Sequence, residues 1–587
     1  MKQAYLASHF AIAMSALTAG PALAQSGSVT LPTRQDLDPV QHPKEAGRAK
    51  LSVDGDVERS PCALDDPAYA AIKVKLGSAV FNHLGTVSAA DLADTYADYL
   101  GSEQPINVVC RIRDAAATKL RAMGYIAAVQ VPTQRIENGA VTFEVLYAKV
   151  TAVRVVGKPG RNERLIESYL SRLADGQSFN RFKAERYLLL ARDIPGYDVR
   201  LSLKPAGTGA GEMIAEIKLK RTPLIVDFSS QNYAAASTGR IGGQLRASFN
   251  GLTGLGDRTT VSLYATGDLH EQKILQFGHE MQIGSHGLRL GGRFTYAWTR
   301  PSLGSALADI RAGTLYANAE LSYPLIRKLA GTLRVATGFD FVNQKVDLPG
   351  QPLSEDRLRV VYLRLDGDAI DMKGIGPDGA TGWRVAGTIE ARQGLSLFGA
   401  SPNCLKSRAL CTAPPPFVAP SLSYADPKAT VLRITANAEL HPVRRLTVAL
   451  TARAQTGSAA LFAFEQFSTG NYAIGRGYDP GSLVGDKGVG FQSEMRLDTF
   501  KLSPQSPIDL QPYLFADNAW VWNRGAYASN PQRLSSFGGG IRVGMAGHAR
   551  LDLSVAVPRT ILPDEFKRRP ARFLVSFSTT LLPWRSR

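Results

Sequence analysis

The sequence contains no uninterrupted apolar run of about 20 residues beyond its N-terminus, so no segment reads as a membrane-spanning helix. The mean hydropathy of −0.09 agrees. It also lacks a Gly-x-Ser-x-Gly elbow, a His-Glu-x-x-His pair and a Gly-x4-Gly-Lys-Ser/Thr phosphate loop. Gly207-Thr208-Gly209-Ala210-Gly211 and Gly475-Arg476-Gly477 are glycine-rich, but neither stands between a strand and a helix. The expectation is a protein that is not an enzyme and carries no cofactor or metal. Dense Lys/Arg tracts are missing as well. The formal charge of +17, from 68 Lys+Arg against 51 Asp+Glu, is dispersed over 587 residues and does not point to nucleic acid. Disorder is excluded by the 44% of hydrophobic residues, which are spread throughout.

Cysteines are few, four in all. Cys404 and Cys411 lie close together in loop composition, followed by Pro414 to Pro416, which favours a local disulfide. Cys62 and Cys110 then bracket one small domain. A metal site is the alternative reading, but no His lies at ligand spacing from either pair. Disulfides require an oxidising compartment, and the N-terminus supplies a route to one. Lys2 is followed by a mostly apolar stretch from Phe10 to Ala19 and then by Pro21-Ala22-Leu23-Ala24-Gln25, the pattern of a secretory signal peptide over residues 1–24.

Residues 25–60 are polar, with Pro32, Pro39 and Pro43 spaced too closely for a long helix, and read as a linker. Two small α+β units come next, at 61–147 and 148–222. In the first, Ser88-x-x-Asp91 opens a helix ending near Gly101. Asp114 to Met123 is a second helix, and Tyr125 to Val131 and Val141 to Val145 are strands. In the second, Val150 to Val156 is a strand and Glu163 to Leu173 has helix spacing. Asn180 caps a helix running to Arg192, and Tyr197 to Leu203 and Met213 to Leu219 are strands. Nothing in either unit resembles a catalytic centre; open sheet edges and grooves suit an extended partner.

From 223 to 587 the apolar period changes to two. Leu288, Leu290, Phe294, Tyr296 and Trp298 share one face, opposite Arg289, Arg293 and Thr295. Leu275 to Ile283, Leu315 to Tyr323, Leu432 to Leu440 and Ala549 to Val557 repeat the alternation. Segments of about ten residues, apolar on one face and charged on the other, describe transmembrane β-strands. At roughly 22–24 residues per strand and connection, the region accommodates about 16 strands, with Arg572 to Leu581 closing the barrel. Glu280, Arg289, Arg293, Arg433 and Glu439 are expected on a wet lumen wall wide enough for an extended polypeptide.

In this frame the sequence resembles the two-partner secretion (TpsB-type) outer-membrane transporters of the haemolysin activation/secretion family. The resemblance covers nearly all of the mature chain. In the first unit it includes Cys62, Cys110 and Gly124-Tyr125-x5-Val131-Pro132-x-Gln134-x-Ile136-x2-Gly139. In the second it is Ala184-Glu185-Arg186-Tyr187-Leu188-Leu189-Leu190 running into Asp193-Ile194-Pro195-Gly196. In the barrel, Ile474-Gly475-Arg476-Gly477-Tyr478 is similar to the superfamily's Val-Arg-Gly-Tyr loop tip, with Gly475 where Val or Ile is usual. Phe464-Glu465-Gln466-Phe467 precedes it and Gly485-Asp486-x-Gly488 follows. Phe515-x-Asp517 resembles the wall motif that receives the loop.

The resemblance implies two periplasmic POTRA domains on a 16-stranded outer-membrane barrel that secretes an unfolded exoprotein. It assigns transport roles to Arg476, Gly477, Tyr478, Asp486, Phe515 and Asp517. An assembly factor that inserts other barrels is the alternative, although such factors usually carry three to five POTRA domains. Many members have an N-terminal helix that plugs the pore; the proline-broken segment Leu31 to Pro43 departs from that pattern, so residues 25–60 stand as a periplasmic linker with a plug segment as the alternative. The partners implied are a TpsA-type exoprotein and outer-membrane lipid, with the transporter itself a monomer.

Overall fold

A computed structural model describes Arg34, Leu37 and residues 61–583, apart from 175, 303–309, 372–381, 407–410, 412–416, 444, 472, 502, 525–530, 546–547 and 564. The signal peptide expected at 1–24 lies outside the described residues.

In the first α+β unit, Val141, Phe143, Val145 and Tyr147 alternate as the buried face of the strand Ala140–Tyr147. This strand is central: Ser78–Asn82 pairs with it in parallel and Ala127–Gln130 antiparallel. Helix α1, Val108–Ala122, covers the sheet with Val109, Ile112, Ala116 and Leu120, a spacing that keeps one face inward. It begins six residues before the expected Asp114, because Val108, Val109 and Ile112 extend that buried face toward the N-terminus. Ser88 does form the capping box with Asp91, but the chain continues as two 3₁₀ segments, Ala89–Thr95 and Ala97–Tyr99. Leu92 and Thr95 are its buried residues; three apart, they share a face at three residues per turn. A disulfide joins Cys62 to Cys110 on α1.

The second unit repeats the plan. Glu212–Arg221 is central, with Lys149–Val156 parallel and Tyr197–Pro205 antiparallel on its two sides. Helices α2, Glu163–Leu170, and α3, Arg181–Arg192, pack on the sheet. Asn180 caps α3 by accepting the Phe182 N–H, and its amide donates 3.1 Å to Met123 O at the end of α1. The Phe182 ring lies over Gly124, where a Cβ would stand 2.4 Å from a ring carbon. One residue thus caps a helix and ties the two units together.

The barrel is a closed antiparallel ring of sixteen strands of eight to twenty residues, from Leu224–Gln231 to Arg572–Leu582, which pair with each other. Phe500–Lys501 adds a two-residue ladder at a turn. The period-two reading holds on the wall: Leu290, Phe294 and Trp298 are exposed outward, while Thr295, Ala297 and Thr299 are buried inward. Strand length departs from the expected ten. Gln351–Ile370 has 20 residues, and its ladder with Trp383–Gly394 begins only at Val360, so its first nine residues stand beyond that neighbour.

The lumen is occupied rather than open. The segment 458–486 folds back inside, burying Phe462, Phe464, Phe467, Ile474 and Tyr478. Arg34 and Leu37, from the stretch expected as a linker, also lie inside. Leu37 is buried, and its carbonyl accepts from Gln276 at 2.7 Å.

Candidate functional site at the loop tip and barrel wall

The returning segment is built from short local devices. Ala463–Glu465 is one 3₁₀ turn, and Phe467–Ser468 pairs with Val484–Gly485. Below this ladder the chain turns at 474–478. Gly475 has φ +116°, in the left-handed region that favours glycine, and a Cβ there would stand 2.3 Å from Leu534 Cδ2. The departure from Val or Ile at this position is therefore required by the turn and its close approach to the wall. At Gly477 a Cβ would lie 2.9 Å from Ser536 Cβ, and the Gly477 N–H donates to Ser536 Oγ at 3.3 Å.

Arg476 is aimed by that turn at two carboxylates. Its backbone N–H donates to Asp517 Oδ2 at 2.8 Å and its Nη2 to Asp517 Oδ1 at 2.9 Å, with Nε at 3.2 Å from Oδ2. Nη1 donates to Glu494 Oε2 at 2.9 Å. The guanidinium carbon sits 3.6 Å from the centre of the Phe515 ring. Phe515 and Asp517 are two apart on Ile508–Trp522 and both face inward, buried. A fork of donors matched by carboxylates and backed by an aromatic face is the arrangement arginine suits and lysine does not. Tyr478, fully buried, places its hydroxyl 2.7 Å from Thr560 O and 3.0 Å from Ser535 O, and it accepts the Thr560 N–H.

Five of the six expected residues therefore meet at one joint. The sixth, Asp486, does not touch Arg476. It accepts the N–H groups of Leu461 and Arg524, both at 2.7 Å, and so closes the base of the returning segment. Sequence reasoning missed Glu494. It holds Arg496 and Arg542 as well as Arg476, and Arg542 continues to Asp552 at 3.0 Å. The only signal was its inward parity in Gln492, Glu494, Arg496.

A second anchor lies higher in the segment. Glu465 takes Arg392 through Nε and Nη2 at 2.9 and 2.8 Å and Arg433 at 3.0 Å. Arg392 also donates to Asp340 at 2.7 Å, and both side chains are fully buried. Arg34 joins the cluster 3.6 Å from Asp340. Of the other expected lumen charges, Glu439 pairs with Arg496 and Glu280 with Arg258, while Arg289 reaches Asp193. They are tied to neighbours rather than left as free wall charges.

The run from Ala184 to Gly196 mounts the second unit on the barrel. Asp193 receives Arg327 through Nε and Nη2, both at 2.8 Å, and Arg186 donates to Pro324 O at 3.0 Å. Tyr169 donates to Gln282 on the barrel at 2.5 Å; burial pushes its phenol up to about 12, so the donor proton is kept.

The haemolysin secretion/activation proteins ShlB/FhaC/HecB have a family model that matches residues 215–543, more than half of the chain. This chain belongs to that family. It is a TpsB-type transporter of the bacterial outer membrane, with its POTRA domains in the periplasm, and the family is one of transporters rather than enzymes. Its fold is similar to CdiB from Escherichia coli (14% identity, TM-score 0.67, covering 90% of this chain and 94% of that one). CdiB from Acinetobacter baumannii is similar at 17% identity and TM-score 0.60, covering 95% of each chain. BamA from Haemophilus ducreyi lacking POTRA domains 1–3 matches at 13% identity and TM-score 0.50, over 87% of this chain and all of that one. No curated protein matches the sequence.

Proposed function

We propose that this outer-membrane secretion transporter accepts one dedicated, unfolded exoprotein of haemolysin or adhesin type in the periplasm and passes it through the barrel as a monomer embedded in lipid. The observation that carries the reading is the joint of Arg476 with Asp517 and Glu494, which, together with the buried aromatics Phe462, Phe464, Phe467 and Tyr478, holds a 29-residue lumen segment without a continuous strand ladder to the wall. A segment so held can be released as a unit. The domain division 61–147, 148–222 and 223–587 gives each part a task. The two POTRA domains offer edge strands, Ser78–Asn82 in the first and Tyr197–Pro205 in the second, for strand addition by the exoprotein. Movement outward follows from folding of the cargo outside, where burial of apolar surface makes return unfavourable. No nucleotide is needed at this membrane.

The test is co-expression with a large exoprotein encoded beside this chain, assayed in the culture medium. Export by the wild type, with loss in Arg476→Ala and Asp517→Ala while both barrels still insert, is the expected result. Export at the wild-type level by both variants would remove the assigned roles. Failure of other barrel proteins to assemble without this chain, with no exoprotein outside in any case, would favour the assembly factor.

A further inference from the structure

The connection after the strand Trp383–Gly394 does not simply cross the mouth of the barrel. It first runs on along the free edge of Gln351–Ile370, and at Phe398 it lies against the outward side chains Arg359 and Phe339. The Leu395 N–H donates to Arg359 O at 2.7 Å, and the Ser401 N–H to Arg357 O at 2.9 Å. Arg359 points outward, since its alternate neighbours Leu358 and Val360 face inward and are buried, yet it is only 2% exposed itself. It donates through Nε to Phe398 O at 3.1 Å, and through Nη1 and Nη2 to Val342 O, Leu358 O and Asn343 Oδ1. Its guanidinium carbon lies 3.5 Å over the Phe341 ring. A buried arginine is therefore spent on clamping a loop against the outside of the wall.

The loop it clamps presents apolar side chains to the surroundings. Phe398 is 73% exposed, Leu405 70% and Leu397 53%. Phe398 holds φ +48°, a conformation uncommon for a bulky residue. Its ring meets Phe339 edge-on, with centroids 6.1 Å apart. Phe339 sits opposite Val361 in the ladder, and Val361, Leu363 and Leu365 are exposed members of the lipid-facing band. The exposed apolar surface of the loop is thus continuous with the surface that faces lipid, at its outer edge. The disulfide Cys404–Cys411 closes the loop beside Leu405, and Lys406 next to it is exposed. Apolar side chains with an adjacent lysine form the composition of a membrane interface.

We propose that residues 395–405 form a foot that inserts Leu397, Phe398 and Leu405 among the acyl chains of the outer leaflet beside the barrel. Burial among acyl chains removes these apolar side chains from water, which offsets the uncommon backbone conformation at Phe398. The inference is independent of which cargo is exported.

The full-length Phe398→Trp variant in phosphatidylcholine vesicles tests it, its emission read as the difference from wild type, which has five tryptophans of its own. Leu363→Trp supplies the lipid-facing reference. The added emission should be blue-shifted, should lose most of its intensity when the vesicles carry brominated acyl chains, and should resist aqueous acrylamide, as the reference does. Emission at longer wavelength that bromine spares and acrylamide quenches would overturn the proposal and mark the loop as a solvent-facing surface for a protein. Leu405→Trp gives the same reading if Phe398→Trp does not insert.

Discussion

Arg476 answers two carboxylates, and its bonds to them differ in kind. Asp517 takes both the backbone N–H and the side chain, so it fixes the path of the loop as well as its charge. Glu494 takes only one Nη and shares itself with Arg496 and Arg542. Asp517→Asn should therefore be the more damaging change. Breaking a buried pair costs about 3–5 kcal/mol, and single-channel recordings should show more frequent open events than for Glu494→Gln, together with the sharper fall in secretion. Equal behaviour would mean that the two carboxylates are interchangeable. Gly475→Ile, which restores the residue usual at that position, should harm rather than help. A left-handed φ costs of order 1–3 kcal/mol for such a residue, and the Cβ would collide with Leu534. Secretion below wild type in an inserted barrel is expected; wild-type secretion would show that the tip can move aside. Arg476, Phe515 and Asp517 were legible in the sequence because each stands in a short motif that resembles the family's, and Phe515 and Asp517 also share one face of their strand. Glu494 was not, because one inward carboxylate among many carries no local mark until the strands are paired.

Among the elements, the strands were read best and the short helices worst. Period two survives in a barrel wall because lipid and lumen impose opposite demands on successive residues. The first helix of the first unit had a correct cap and the wrong continuation, since a capping box specifies a start and says nothing of how many residues per turn follow. The docking of α3 on the barrel was invisible, as Asp193 and Arg327 are 134 residues apart and neither has a sequence feature that names the other. Asp193→Ala should loosen this mount. The pair is partly exposed, so its loss is worth about 1 kcal/mol, and amide exchange across 181–196 should quicken several-fold while the barrel strands stay protected. Unchanged exchange would place the hold elsewhere. Removing Cys62–Cys110, which closes a 48-residue separation, should cost about 4 kcal/mol on a chain-entropy account. Cys62→Ser with Cys110→Ser should therefore leave the first POTRA domain protease-sensitive on an intact barrel; resistance equal to wild type would show that the sheet and α1 suffice alone.

For the whole molecule, the size of the barrel and the two attached units follow from length and periodicity, whereas the state of the pore does not. Sixteen strands predict a wide lumen, and the returning segment fills it. Two anchors hold that segment, Arg476 on one stretch of wall and Glu465 on another. Because both act on a single segment, their loss should not add. Arg476→Ala and Glu465→Gln should each raise conductance in planar bilayers modestly, and together by more than the sum; strict additivity would mean that the halves of the segment move separately.

The nine residues by which the strand Gln351–Ile370 outruns its neighbour's ladder have a consequence for what lies outside. At about 3.4 Å per residue along a tilted strand, they raise that side of the wall by on the order of 20 Å. Seen from the medium, the rim is uneven, tall at this hairpin and lower beside it. Antibodies and surface proteases would meet the hairpin early, and a thread leaving the pore would have a tall wall on one side only.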